Sequence, residues 1–338
     1  MSASRYSDWE SVEFPAGPDA AGTDRPIAFC ADLSPGSVLA AYRRGIFPMP
    51  APGDYWRDLN EIRYEDQVAA GTIAIVGDDQ ADPYQVAWWS PDPRPVIAAH
   101  GVHLGRNVRK RLRHDGLTTT ANVAFGQVAE ACRAGREPRW LTDTLLATLT
   151  ALHDEGWAHS IEVWLAGDLV GGAIGVAVGT VISGDSLFGR HPGAAATAVA
   201  DMAARLAEAG GVLIDAQWDS PFLRSLGAVP LPRDRYLVLL GEGQRPVRLP
   251  TAPRPAVRLL ASGARLSSPL SPGARMAVSG RSLVLRCQLR YGQPGRGDSM
   301  PLTGTFLLER REVAGGPCDA KQRHELDQAG PRTRVRRD

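Results

Sequence analysis

Asp215-Ala-Gln217 ends an apolar stretch, 212–216, that reads as a buried strand. Along a strand, residues i and i+2 point to the same face, which brings a carboxylate and a carboxamide to one site. A carboxylate can orient an attacking amine or take its proton. The amide can accept a hydrogen bond from that amine while donating to a carbonyl oxygen that is gaining negative charge. The same pair also suits a polar strand end satisfied by a neighbouring loop. The chain has no G-x-S-x-G elbow, no Cys/His nucleophile pairing and no P-loop. Their absence favours direct attack on an already activated acyl donor over a covalent acyl-enzyme.

Three further segments carry chemistry. In Trp88-Trp89-Ser-Pro-Asp-Pro-Arg94 the adjacent tryptophans point opposite ways on an extended chain. One can enter the core while the other offers a stacking platform, or both can be core. Arg106, Arg109, Lys110, Arg111, Arg113 and His114 cluster within nine residues, either as a phosphate-neutralising patch or as a solvated helix face. Arg190-His-Pro-Gly193-Ala-Ala195 fits an R-x-x-G-x-A loop leading into a helix. Backbone N–H groups and the helix dipole there would favour an anion, the way GNAT-type acyltransferases hold acetyl-coenzyme A.

These groups need a scaffold, and local signals predict one. A helix starts after Ser34 as N-cap with Pro35 at its first position, places Val38, Leu39 and Tyr42 on one face and stops at Gly45. Residues 51–86 read as a surface excursion around one strand, 72–76. Helices are expected over 122–134 and from Thr142 to Glu155, strands over 160–165, 169–178 and 180–188, with a turn at Ala166-Gly167-Asp168. An Ala-rich helix over 194–209 leads into the strand that ends at Asp215. The first 25 residues read as a loose lead-in. Residues 251–338, rich in Pro, Gly, Ser and Arg with one possible strand at 282–289, are expected to be disordered.

The 338 residues allow one large or two modest domains, and 43 % apolar with 22 % charged residues is ordinary for a soluble enzyme. No run of apolar residues is long enough to span a membrane. Met1 to Pro15 lacks the basic and apolar regions of a secretory signal. Cys30, Cys132, Cys287 and Cys318 lie far apart, so neither a zinc site nor a disulfide framework is expected, and the cytoplasm is the default compartment. The net charge of +1 hides an asymmetry: residues 251–338 hold 16 Lys+Arg against 7 Asp+Glu. Because only Lys110 and Lys321 are lysines, arginine richness by itself says little about nucleic acid.

Taken together, the segments resemble the leucyl/phenylalanyl-tRNA–protein transferase family. The matching stretches are Asp32-Leu-Ser-Pro-Gly, Ala41-Tyr-Arg-Arg-Gly-Ile-Phe-Pro48, the segment from Trp88 to Arg94, Asn122 to Gln127, Trp140-Leu-Thr142, Ala158-His-Ser-Ile-Glu-Val-Trp164, Leu169-Val-Gly-Gly172, Asp185-Ser-Leu-Phe188, Leu213-Ile-Asp-Ala-Gln217 and Ser225-Leu-Gly-Ala228. They occur in the family's order and cover most of residues 27–240. The resemblance implies an α/β (α+β) fold. A small N-terminal domain, 1–87, would stand beside a GNAT-like mixed-sheet catalytic domain, 88–250, followed by the basic tail, 251–338. It implies transfer of Leu, Phe or Met from aminoacyl-tRNA to proteins beginning with Arg or Lys, which marks them for degradation. The enzyme would be a cytoplasmic monomer with no metal and no cofactor.

By the same resemblance, Asp215 polarises Gln217, Gln217 positions the attacking amine, and Asp185 pairs with the acceptor's basic side chain. Ala173, Leu187, Val199 and Ile214 line the pocket for the transferred side chain. Trp140 with Trp88 or Trp89 holds the terminal adenosine, and the basic cluster grips the acceptor stem. Several positions depart from the family. Asp185 replaces a glutamate, Ala195 and Ala196 replace a serine and a lysine, Ala173 replaces a bulkier residue, and the segment from Met49 to Ala87 is longer. An acyl-coenzyme A-dependent N-acyltransferase, or a non-catalytic homologue that binds tRNA or basic N-termini, are the alternatives.

Overall fold

A computed structural model describes residues 8–14, 25–77, 82–136, 138–241 and 247–262. The first four strands form one sheet. The elements are β1 (Ala28–Phe29), α1 (Pro35–Arg43), β2 (Phe47–Pro50), α2 (Asp54–Ala69), β3 (Ala74–Ile75) and β4 (Val86–Trp89), in strand order β2-β4-β1-β3. Helix α1 begins at Pro35 as expected, but the Ser34 side chain makes no capping bond. Its N–H instead donates to Asp32 Oδ1 at 2.8 Å. Gly45, at φ +70°, ends the helix where any Cβ would sit 2.8 Å from Leu237.

Two expectations fail in this region. Residues 51–86 are not a mere excursion, because they contain the 16-residue helix α2. Its sequence is mostly polar and buries fully only Tyr64, so no apolar stripe announces it. Arg57 fastens it through Asp58, Glu61 and Asp82. The lead-in is not wholly loose either. Trp9 is buried, stacks 4.4 Å from Trp88 and donates from Nε1 to Ser37 Oγ at 3.0 Å.

The second sheet is larger. It is built from β5 (Arg94–Ala98), α3 (Arg106–His114), β6 (Thr118–Ala121), α4 (Phe125–Arg133), α5 (Asp143–Asp154), β7 (Ala158–Leu165), β8 (Asp168–Val178), β9 (Val181–Gly189), α6 (Ala194–Glu208), β10 (Leu213–Asp215), α7 (Pro221–Ser225), β11 (Val229–Leu231), α8 (Arg233–Leu240), β12 (Arg254–Pro255) and α9 (Leu259–Ser262). Strand order is β11-β5-β10-β9-β8-β7-β6-β12. The centre, β6 to β9, is antiparallel, and the α6 crossover makes β10 parallel to β9. This mixture of sheets and helices is the α+β class expected.

Both faces of the sheet are covered, and the central strand β8 reads from Leu169 to Val178 with no polar side chain. Ile174, Val176 and Val178 of β8 join the core under α1, α4 and α5, while Ala173 and Ala177 join the core under α6. Alanine gives α6 good helix propensity and a thin buried face. Close approach of that face requires Gly171, where a Cβ would lie 2.6 Å from Ala194. The helix expected over 122–134 starts only at Phe125. Asn122 sits at φ +60° and instead bridges to β7, accepting from the Ser160 N–H at 3.0 Å.

The boundary expected at Pro250 also moves. Residues 251–262 fold onto the sheet, with Arg254 opposite Thr119 across the β12–β6 pair and Ala256 and Leu259 buried. A fully buried carboxylate, Asp201, draws them in. It accepts from Arg205 Nε at 2.6 Å and from Arg258. A lone buried charge would be costly, and two guanidinium groups offset it. Pro255 is tolerated because β12 is an edge strand. Residues 263–338, including the possible strand at 282–289, lie outside the described residues. No helix among the described residues is long and apolar enough to cross a membrane.

Candidate active site

The site forms where the large sheet opens. β10 pairs with β9 only as far as Asp215 opposite Ser183, while β9 runs on to Gly189. On its other side β9 stays paired to β8, but Gly175 faces Gly184 and Ile174 faces Ser186. Asp185 is therefore the extra residue of a β-bulge, which re-aims its side chain toward the opening. Gly175 makes the bulge possible, since a Cβ there would lie 2.3 Å from the Ser183 carbonyl oxygen.

Asp215 and Gln217 do converge, though not by strand alternation. The strand ends at Asp215, and Gln217 turns off it at φ +57°. Its backbone N–H donates to Asp215 Oδ1 at 2.9 Å. Asp215 Oδ2 accepts from Ser183 Oγ at 3.2 Å and from the Tyr236 hydroxyl at 2.9 Å. Arg94, fully buried between the rings of Phe47 and Tyr236, brings Nη1 within 3.6 Å of the same oxygen and supplies the balancing positive charge. The carboxylate thus touches Gln217 through its backbone and reaches the amide only through Ser183.

The Gln217 amide uses both Nε2 hydrogens, on Ser183 Oγ at 3.1 Å and on Asp185 Oδ1 at 2.6 Å. That leaves Oε1 as its open acceptor. Asp185 Oδ1 also accepts from the Tyr42 hydroxyl at 2.6 Å, while its buried Oδ2 has no partner. Burial pushes the Asp185 carboxyl up to about 7, against the lowering effect of its two donors. Burial and the neighbouring carboxylates hold the Tyr42 and Tyr236 hydroxyls above the ordinary tyrosine range, so both remain donors.

Beside this network lies a cavity of about 210 Å³. Ala173, Leu187, Val199 and Ile214 all line it, Ala173 directly opposite Leu187 across the strand pair. Ile97, Met202 and Leu223 complete its apolar wall, and Asp185, Asp215 and Gln217 stand at its polar side. A space of this size with one polar edge suits a single amino-acid side chain.

A second cavity, of about 390 Å³, is lined by Trp89, Trp140 and Trp218 together with residues of α2. Trp218 lines both cavities. Trp88 does not take part, contrary to the expectation that either tryptophan could serve. It is fully buried against Trp9 and donates from Nε1 to the Cys30 carbonyl at 2.9 Å. Arg106, Arg109, Lys110, Arg111 and Arg113 lie on α3, which buries only Leu112. Of the five, only Arg111 forms an ion pair among the described residues, with Asp115. The Arg190–Ala195 loop lines a separate open groove that shares no residue with the 210 Å³ cavity.

Ser183, Tyr236, Arg94, Tyr42 and Trp218 were not singled out for the site from sequence. Tyr42 reads as one more apolar position on α1, yet a buried tyrosine hydroxyl seeks a partner, and that is the signal it carried. Ser183 and Tyr236 carried none, because only the sheet register and the packing of α8 bring them to Asp215.

Comparison with known proteins gives the family. The family model described as leucyl/phenylalanyl-tRNA protein transferase matches residues 96–241, and that of its N-terminal domain matches 31–56. A leucyl/phenylalanyl-tRNA–protein transferase of Citrobacter koseri is 38 % identical over 225 residues, covering 66 % of this chain and 83 % of that protein. The protein of that name from Chromohalobacter salexigens is 38 % identical over 222 residues, 65 % of this chain and 75 % of its own. Its namesake from Novosphingobium aromaticivorans is 37 % identical over 217 residues, 63 % and 72 %. Likeness of this extent, with Asp185, Asp215 and Gln217 inside the matched segment, means that the chain belongs to the leucyl/phenylalanyl-tRNA–protein transferase family and is an aminoacyl-transferring enzyme.

Proposed function

We propose that this chain moves leucine, phenylalanine or methionine from charged tRNA to the N-terminal arginine or lysine of an acceptor protein, acting as a cytoplasmic monomer that marks the acceptor for degradation. The carrying observation is the side-chain-sized apolar cavity with the Gln217 amide and the unpartnered Asp185 oxygen at its edge, and with Trp218 on the wall it shares with an aromatic cavity. In this reading Ala173, Leu187, Val199 and Ile214 hold the transferred side chain, and Trp89 with Trp140 holds the terminal adenosine. Arg106, Arg109, Lys110, Arg111 and Arg113 neutralise acceptor-stem phosphates.

The chemistry asks little of the protein. An aminoacyl ester is already activated, and an α-amine titrates near 7.7–8.0, so a fair fraction is nucleophilic at neutral pH. The acceptor nitrogen attacks the ester carbonyl carbon, the C–N bond forms, and the C–O bond to the ribose oxygen breaks. That oxygen leaves with the proton that nitrogen loses. Gln217 Oε1 accepts from the incoming amine and aligns it. Asp215 holds the Gln217 backbone, Ser183 and Tyr236 in place and meets no substrate atom directly. Asp185 pairs with the guanidinium or ammonium of the acceptor, giving Oδ2 the partner it lacks.

Labelled leucyl- or phenylalanyl-tRNA incubated with an arginine-starting and an alanine-starting peptide tests this. Label is expected in the first peptide only, and Gln217→Ala should lower the rate while leaving tRNA affinity nearly intact. Equal labelling of both peptides would remove the role given to Asp185. Transfer from an acyl-coenzyme A in place of tRNA would overturn the donor and point to the Arg190–Ala195 groove.

A further inference from the structure

We infer that helix α2 extends the nucleoside cavity into a two-nucleotide subsite, with Trp56 stacking on the base that precedes the terminal adenosine and Arg63 taking its phosphate. The inference rests on the reading that Trp89 and Trp140 hold that adenosine. Helix α2 runs from Asp54 to Ala69, and most of it falls between the two segments that the family models match, 31–56 and 96–241. That part of the helix lies outside both matched segments.

The helix is placed where a donor must pass. Trp56, Leu59, Asn60 and Arg63 recur at i, i+3, i+4 and i+7, a single stripe along two turns. All four line the cavity whose other side is Trp89, Trp140 and Trp218. Trp218 also lines the reacting pocket, so the two cavities share a wall residue, and the proposed function seats the adenosine of an aminoacyl ester beside these tryptophans. The chain leading into that adenosine then meets the α2 wall.

The composition of the stripe fits this occupant. Trp56 is 38 % exposed, a large ring left in contact with solvent. Arg63 is the stripe's one charge, and it is positive, although α2 as a whole carries Asp54, Asp58, Glu61, Glu65 and Asp66. None of those acids lines the cavity. Arg57, the other cation of the helix, is held by Asp58, Glu61 and Asp82 and is not available to a ligand. An aromatic face and one available guanidinium along an otherwise acidic helix make a wall for a stacked base and its phosphate, the two features of single-stranded nucleic-acid binding.

Donors of two lengths test the inference: 3′-aminoacyl-adenosine, and the same amino acid on the trinucleotide CCA. The intact protein should prefer the longer donor, seen as a lower KM. Trp56→Ala and Arg63→Ala should each reduce that preference roughly tenfold, as expected for loss of a stacked base or a phosphate contact. Binding of uncharged CCA, followed by tryptophan fluorescence, should weaken in parallel. Ile62→Ala, an exposed change on the far side of α2, should alter neither. Both side chains are solvent-accessible, and an unchanged circular dichroism spectrum would show that the variants fold. An intact protein with no preference for CCA, or variants that keep it, would overturn the inference while transfer from either donor leaves the proposed function standing. An intact protein that transfers from neither donor and does not bind CCA would overturn both.

Discussion

Replacing Asp185 with asparagine separates the acceptor's charge from everything else in the site. The substitution keeps size and shape. An asparagine Oδ1 can still accept from Tyr42 and Gln217, the two donors at 2.6 Å, and its Nδ2 takes the place of the unpartnered oxygen. The carboxyl titrates at about 7 because of burial, above its value of about 3.9 in an unfolded chain. A raised pKa means that the folded state binds the extra proton between those two values, so this group's contribution to stability falls as pH rises toward 7 and through it. The variant escapes that loss and should be no less stable than the parent at pH 8.

Its activity should behave differently. Removing one partner of a buried, hydrogen-bonded charge pair costs on the order of 3 kcal/mol, roughly a hundredfold in kcat/KM for an arginine-starting peptide. The pH profile gives a sharper test. In the parent, kcat/KM should rise with pH for two reasons: Asp185 ionises near 7, and the acceptor amine loses its proton near 8. Below about pH 6.5 both factors act, and the logarithm of kcat/KM should climb with a slope near 2. Asp185→Asn leaves only the amine, and the slope should fall to about 1. A variant that keeps the steeper slope, and still prefers arginine-starting over alanine-starting peptides, would refute the assignment.

Tyr42→Phe removes a hydrogen bond that lowers the Asp185 carboxyl, so the lower inflection of the parent profile should move above 7; an unchanged or lower inflection would count against the coupling. Trp88→Ala empties a fully buried, hydrogen-bonded site and should cost about 3–5 kcal/mol in unfolding measurements. Trp89→Ala should mainly raise the KM for the aminoacyl-tRNA donor, and the reverse pattern would overturn the division between the two tryptophans. Reversing Arg109 and Arg113 to glutamate should weaken tRNA binding and flatten its dependence on salt, measured by filter binding across an ionic-strength series. If neither affinity nor slope changes, α3 is a solvated face.

Much of the scaffold was legible because local rules agree with the tertiary outcome there. Thr142 caps α5 through the Leu145 N–H, and the Ala166-Gly167 turn joins β7 to β8 with both residues at positive φ. The Ala-rich run becomes α6 within a residue of the expected end. Where the reading failed, the holding forces were non-local. Helix α2 has too little apolar surface to show a period, and residues 251–262 fold because the buried Asp201 needs a second guanidinium, Arg258.

The amino-acid sequence by itself supplied the Asp215-Ala-Gln217 pair and the tryptophan motif, and its resemblance to the family pointed to Asp185, Ala173, Leu187, Val199, Ile214 and Trp140 as further candidates. Their types and local motifs are properties of short segments. Tertiary structure alone decided how they are aimed. The bulge at Asp185 exists because Gly175 lets β8 pass the Ser183 carbonyl, and Gln217 faces Asp185 because the chain turns at φ +57°, against the strand alternation read from its spacing. Burial chose Trp89 over Trp88 and brought Arg94, Ser183, Tyr42 and Tyr236 around the two carboxylates from distant parts of the chain. Distances between side chains from separate strands depend on register and packing, and no run of neighbouring residues encodes them.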